Sequence, residues 1–309
     1  MVKDVVSISL PLEEKLLIRK NVISSGDSKQ RVCIVTGTHG DELEGQYVCY
    51  KLANILNESL DKLDGTVEIY PALNPLGVDT ISRGIPGFDL DMNRIFPGNK
   101  DGVMAERAAY EILEDLKGAS MVIDIHSSNI FLREMPQIRI NVDSSDRLVP
   151  LAQQLGVDFI WVHEAATVLE ATLAHSLNST GTPCLVVEMG VGMRINHSIG
   201  NKLVAGILNM LTEMGIWSGD VDKQLLSNAI ISVGDKVSFI NADISGIFIT
   251  EHKTAAIVSE GEEIGSIVDP LTGEILQNIL SPVNGYLFTL RAYPVVYEGS
   301  LLARIHQMD

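Results

Sequence analysis

Over roughly the first 215 residues, short β-branched apolar runs alternate with stretches of helical period, and that alternation leaves few architectures open. The runs 31–37 (RVCIVTG), 66–72 (TVEIYPA), 120–125 (SMVIDI) and 184–189 (CLVVEM) are apolar on both faces, the pattern of buried parallel strands. Between them, 41–57, 104–117, 148–155, 168–178 and 199–214 carry apolar residues at helical spacing. The first of these has acidic residues in its opening turn, a favourable helix start. The expected fold is α/β: a mixed, mainly parallel sheet flanked by helices. The segment 73–104 is Gly/Pro-rich and reads as one long loop, and a loop of that length inside a compact domain is usually functional.

After Trp217 the texture changes. Residues 228–309 hold short β-rich runs punctuated by turns (SVGDKVSF, GIFIT, SPVNGYLFTL, VVYEGSLLARI) and no amphipathic helix. This predicts a catalytic domain over 1–220 and an all-β domain over 225–309, with the boundary in the polar stretch 218–227.

Composition narrows the function. Hydrophobic residues make up 46% and charged residues 20% of the 309, the balance of a globular chain. The formal net charge of −17 disfavours nucleic acid or an anionic membrane surface as partner, although a pocket inside an acidic shell can still be locally positive. Cys33, Cys49 and Cys184 are odd in number and widely spaced, so neither a disulfide framework nor a paired-cysteine metal site is expected. The N-terminal stretch has charges every few residues and lacks the apolar core of a signal peptide, and no run approaches a membrane span. A cytoplasmic location is the expectation.

Four segments concentrate residues that do chemistry, all at strand ends or in the long loop. In Gly37-Thr38-His39-Gly40-Asp41-Glu42 an imidazole and a carboxylate three positions apart lie between a strand and a helix start, where both can reach one metal ion. Asp124-Ile125-His126 closes another buried strand. Two histidines and one carboxylate leave an open position on zinc, the arrangement of a catalytic site. Glu188 is the only acid in its apolar strand, where burial raises a carboxyl pKa and suits it to accept and return a proton. In the loop, Arg83 and the run Asp91-Met92-Asn93-Arg94 offer guanidinium groups for a carboxylate or a polarised carbonyl. Singly, each has a plainer reading: a chance His–Glu pair, a rim histidine, a salt-bridged glutamate, a loop clamp. The specificity lies in their combination and order.

Taken together, GTHGDELEG, Arg83 followed by DMNRIFPG, DIHSS and VVEMG resemble the succinylglutamate desuccinylase/aspartoacylase family, which belongs with the zinc carboxypeptidases. The landmarks fall in order across residues 30–190. The resemblance implies one zinc ion per chain on His39, Glu42 and His126, with Glu188 as general base and acid. It implies that Arg83 polarises the scissile carbonyl, that Asn93 and Arg94 grip a substrate carboxylate, and that Asp91 orients the first histidine ligand, with Asp124 in a similar role. The activity implied is metal-assisted hydrolysis of a small N-acyl amino acid or related N-acyl amine.

The pattern departs from aspartoacylase at one place: ten positions before the base, where an arginine would bind the substrate side-chain carboxylate, stands Asn178. N-acetylaspartate is therefore a poor expectation. Arg133, Arg139 and Arg194 are candidate substitutes, each also readable as a surface charge. His163 and His175 are the histidines expected at the pocket, with His197, His252 and His306 structural. The C-terminal pattern is similar to the barrel-sandwich fold of biotinyl and lipoyl domains, but the matching turn Asp269–Gly273 lacks the carrier lysine, so no covalent biotin or lipoate is expected. Family members use this region to narrow access, which favours small substrates, and subunit contacts through it are a further possibility. Two other functions remain open: a carboxypeptidase or peptidoglycan amidase with the same zinc site, and a non-catalytic binding module. Intact chemistry disfavours the second.

Overall fold

In the computed structural model, which describes residues 1–164 and 170–308, the chain opens on an antiparallel hairpin, β1 (Val2–Ser9) and β2 (Lys15–Ser25). Neither strand is among those expected from periodicity. Charges interrupt both, and only Val6, Leu16, Ile18 and Ile23 are buried apolar residues there. β3 (Arg31–Thr36), α1 (Glu44–Glu58) and β4 (Gly65–Tyr70) follow at the expected places.

The loop expected over 73–104 contains more order than its composition suggests. It holds α2 (Pro75–Thr80), started by the Asn74 side chain accepting from the Gly77 amide at 3.0 Å with Pro75 in the first turn. It also holds a single 3-10 turn, Met92–Arg94, capped by Asp91. Beyond it come α3 (Met104–Leu116), β5 (Met121–Ser127), β6 (Leu132–Asn141), α4 (Ser145–Gln153) and β7 (Phe159–His163). α5 (Leu173–Ser179), β8 (Cys184–Gly190) and α6 (His197–Glu213) complete the α/β region. Of the helix expected over 168–178, residues 168 and 169 lie outside the described residues. β6 escapes a periodicity reading because Pro136 interrupts it. The strand absorbs the proline at a register shift against β8, between Glu134 and Gln137.

β4, β3, β5 and β8 are parallel neighbours in that order, with antiparallel strands on either flank: β2 beside β4, and β6 beside β8. β7 pairs parallel with β6. The expected mixed α/β sheet is thus present. One face packs Val48, Leu52 and Leu56 of α1, with Leu203, Ile207 and Leu211 of α6. The other packs Ala109, Ile112 and Leu116 of α3 and Leu177 of α5. Each buried valine, leucine or isoleucine among them contributes about 1.5–3 kcal/mol, which makes the strand ends a rigid platform.

The C-terminal region is all β: β9 (Ile230–Val233), β10 (Val237–Asn241), β11 (Gly246–Ile249), β12 (Ala256–Val258), β13 (Glu263–Val268), β14 (Ile275–Leu280), β15 (Gly285–Arg291), β16 (Val295–Val296) and β17 (Leu301–Gln307). β14, β13, β11 and β16 form a four-stranded sheet. It closes over an apolar cluster that includes Phe248, Ile267, Ile279, Leu287 and Leu302. β15 pairs antiparallel with β6, so the mixed sheet continues through β15 and β17 to β10 without a break. The turn between β13 and β14 is Asp269–Gly273, with the Leu271 amide donating to Asp269 Oδ1 at 2.8 Å. Among the described residues no helix is long and apolar enough to cross a membrane.

Candidate metal centre and active site

The loop leaving β3 turns at Gly37, whose φ of +67° favours glycine, and a Cβ there would lie 2.9 Å from the Ala72 Cα. That turn aims the next residues over the ends of the parallel strands. His39 and Glu42 follow before α1 begins, and both are buried. His126 is the penultimate residue of β5, directly across from Glu188 on β8 in the parallel register, so the two side chains emerge on one face.

Glu42 sits between the imidazoles. His39 Nδ1 is 2.8 Å from its Oε1, and His126 Nδ1 is 2.9 Å from its Oε2. One ligand atom from each of these three residues lies within 4.8 Å of the others. The far ring nitrogens face carboxylates: His39 Nε2 is 3.0 Å from Asp91 Oδ1, and His126 Nε2 is 3.2 Å from Asp124 Oδ2. A carboxylate behind each ring favours the tautomer with the proton on Nε2, which would leave Nδ1 of each ring to ligate a cation on the Glu42 side. The donor set of two imidazoles and one carboxylate fits a divalent ion such as zinc.

Charge in the site follows from this crowding. Burial alone pushes the Glu42 carboxyl up, but the hydrogen bonds from His126 and His39 outweigh it and bring it down to about 2. Burial disfavours charge on His126, yet Asp124 and Glu42 raise its pKa well above the ordinary value. The carboxylates therefore demand positive charge at the centre, which protons meet in the metal-free protein and which a cation meets by displacing them. Glu188 departs in the opposite sense to Glu42: burial raises its carboxyl above the usual range, and Arg139 and His126 recover only part of the shift.

A cavity of about 690 Å³ opens beside these groups, a volume suited to a small molecule. His39, Glu42, His126 and Glu188 line it, as do Arg83, Asn93 and Arg94 from the loop. Arg83 donates to Glu42 Oε1 and to Asp91 Oδ2, both at 3.1 Å. Asn93 accepts from the Leu173 amide at 2.9 Å, which fixes the loop against α5. Arg94 is held by the Asn93 carbonyl at 2.7 Å. Arg139 lines the cavity and donates to Glu188 Oε1 at 3.3 Å.

The other candidates divide. Asn178 borders the cavity, but its amide bonds the Cys184 amide and carbonyl at 3.0 and 2.9 Å and accepts from Arg147 at 3.0 Å, so its polar atoms are engaged in joining α5 to β8. Arg194 and Arg133 are not brought to the cavity lining, and Arg194 donates to the Met193 carbonyl instead. His163 and His175 do line it. Among the lining residues that escape the sequence reading are Glu134, Trp161 and Arg304. For Arg304 a signal existed, since it is a lone cation between buried Ala303 and Ile305, the same signature that marks Glu188.

Comparison with known proteins adds the family. The model of the succinylglutamate desuccinylase/aspartoacylase catalytic domain matches residues 28–214. An N-alpha-acetyl-L-2,4-diaminobutyric acid deacetylase of Halomonas elongata is 23% identical over 260 residues, covering 82% of this chain and 75% of its own. The product-bound ectoine utilization protein EutE of Ruegeria pomeroyi superposes with a TM-score of 0.83 at 20% identity, over 98% of this chain and 93% of that one. A succinylglutamate desuccinylase/aspartoacylase from Rhodobacter sphaeroides gives 0.82 at 21% identity, over 100% and 96%. At these identities the structural likeness speaks for the fold alone.

Proposed function

This chain belongs to the succinylglutamate desuccinylase/aspartoacylase family, and from that premise we propose that it is a zinc-dependent deacylase of a small N-acyl amino acid or related N-acyl amine. The observation that carries the reading is the pair of imidazole Nδ1 atoms converging on Glu42, each ring backed by its own carboxylate, at the mouth of a cavity shared with Glu188. The deacetylase name of the Halomonas elongata relative supports an N-acyl substrate.

His39, Glu42 and His126 would hold the ion, which when bound supplies a Lewis acid that acidifies water and polarises the acyl carbonyl. Glu188 takes the proton from the attacking water and returns it to the leaving nitrogen, so that a carboxylate and an amine depart. Burial suits it to this, because raising the carboxyl above its usual range makes the carboxylate a stronger base. Arg83, at the cavity edge, supports the developing oxyanion, and Asn93 with Arg94 orients the substrate carboxylate. Asp91 and Asp124 hold the two imidazoles in the required tautomer.

In the same reading, residues 1–220 are the catalytic unit and 225–309 an unmodified β unit that narrows access, and the setting is cytoplasmic. Three unpaired, buried cysteines agree with a reducing compartment. Elemental analysis of the purified chain tests the metal, with about one zinc per chain expected. A panel of N-acetyl, N-succinyl and N-formyl amino acids against short peptides, read by released amine, tests the substrate. Turnover of peptides but not of acyl amino acids would replace the deacylase reading with a carboxypeptidase.

A further inference from the structure

Glu134 is 1% exposed and its carboxylate is fully engaged. Oε1 accepts from Arg139 and from Arg304, each at 3.0 Å, while Oε2 accepts from Gln137 at 2.6 Å and from the Thr289 hydroxyl. Two of the four donors come from the C-terminal strands. The register explains why: Thr289 on β15 lies opposite Glu134 on β6, and Arg304 on β17 lies opposite Thr289. One row of side chains thus crosses the seam between the two regions. Arg139 reaches from this row to Glu188, with one terminal nitrogen on Glu134 and the other 3.3 Å from Glu188 Oε1. Both guanidinium groups also rest against Trp161, at 5.7 and 5.5 Å from its ring.

We propose that Glu134, Thr289 and Arg304 are positioning residues that act through Arg139 to fix where the Glu188 carboxylate stands. The inference rests on Glu188 being the general base. Its physical basis is that Arg139 spans two carboxylates and would otherwise be drawn fully onto the nearer one. A carboxylate with four donors is a stiff anchor, and it holds Arg139 in the bridging pose. Charge agrees: two guanidinium and two carboxylate groups balance across the row, so removing any one leaves a buried partner uncompensated. Arg139 is also the largest counterweight to burial at Glu188. The C-terminal strands thereby contribute to the catalytic step from behind the base.

The test uses the full chain loaded with zinc, on the N-acyl amino acid that the wild type hydrolyses fastest in the panel above. Arg304→Gln and Thr289→Val should each lower kcat about tenfold or more, with KM and zinc content within about twofold of wild type. Thr289→Ser, which keeps the hydroxyl, should restore the rate. In a Glu188→Gln background neither substitution should cost anything further, because the group it positions is gone. Wild-type kcat in both variants, a rise in KM with kcat intact, or an equal loss in the Glu188→Gln background would each overturn the proposal. If Arg304→Gln fails to fold, the Thr289→Val and Thr289→Ser pair decides alone. A Glu188→Gln variant of normal rate, or a wild type that hydrolyses nothing in the panel, would instead remove the reading on which the proposal stands, and the proposal with it.

Discussion

Two clusters of buried charge sit on the same sheet and are built to opposite ends. In the first, Lys20 on β2, Arg31 on β3, Glu68 and Tyr70 on β4, and Asp115 on α3 close on one another. Lys20 Nζ donates to Glu68 at 3.0 Å and to Asp115 at 2.8 Å, and Arg31 donates to Glu68 at 2.8 Å. Among the described residues, no buried side-chain atom of these five lacks a partner. In the second, around His39, Glu42 and His126, partners are missing: Thr38 Oγ1, Asp41 Oδ1 and Glu44 Oε1 are buried without a hydrogen bond, and Asp124 meets His126 as an ion pair at 3.2 Å without hydrogen-bond geometry. A saturated cluster is a fastener. An unsaturated one at strand ends marks where a ligand completes the chemistry, and stability is sacrificed for function there.

That contrast can be broken by experiment, most sharply at Glu42. Glu42→Gln should lower metal affinity at least a hundredfold, about the upper figure for weaker outer partners, and abolish turnover. Its thermal stability without metal should fall near neutral pH, because a carboxyl held down to about 2 on folding stabilises the native state there. Dialysis followed by elemental analysis and a melting curve reads both, and a variant that keeps its metal would remove Glu42 from the ligand set. Next in size is Glu188→Gln, expected to hold zinc normally and to lose at least about a hundredfold in kcat. Near-normal turnover would exclude Glu188 as the base.

On the other cluster only stability should suffer. Glu68→Gln leaves Lys20 and Arg31 short of a buried partner and should cost about 2–3 kcal/mol in denaturant unfolding. Metal content should be unchanged, and an equal loss of metal would show that the two clusters are not independent. The smallest effect is in pH. Burial alone would raise the Glu68 carboxyl, but hydrogen bonds from Arg31, Tyr70 and Lys20 outweigh it and hold its pKa below the ordinary value. A group depressed on folding stabilises the native state above its unfolded pKa, and that contribution fades as pH falls through the folded value. Wild-type stability should therefore decline on the acid side of about pH 4.5, more steeply than that of Glu68→Gln. Parallel acid profiles would deny Glu68 its depressed pKa.

How much of this was legible in the amino-acid order depends on distance along the chain. His39 and Glu42 are three positions apart at a strand end, and His126 and Glu188 stand out as single polar residues closing buried apolar runs. Local pattern suffices to suggest them. Glu134 and Arg304 are 170 positions apart and meet only because β15 and β17 extend the catalytic sheet. No window of sequence contains that pairing. β6, the strand that carries Glu134 and Arg139, is disguised by Pro136, and the β1–β2 hairpin by its charges. Asn178 lines the cavity, as its offset from Glu188 suggests, and its amide also ties α5 to the backbone of Cys184, which the offset does not reveal.

The unbroken pairing of β6 with β15 has a consequence for biosynthesis. During synthesis the strands β3, β4, β5 and β8 can assemble early with β6 and β7, yet the Leu132–Glu134 end of β6 and the outer edge of β7 stay unpaired until residues 285–291 and 230–233 arrive. An uncovered edge of this kind recruits other chains, so the nascent protein is most vulnerable to self-association in that interval. A fragment cut at residue 220 would be trapped in that interval permanently. It should express as aggregate and regain solubility when residues 225–309 are supplied in trans.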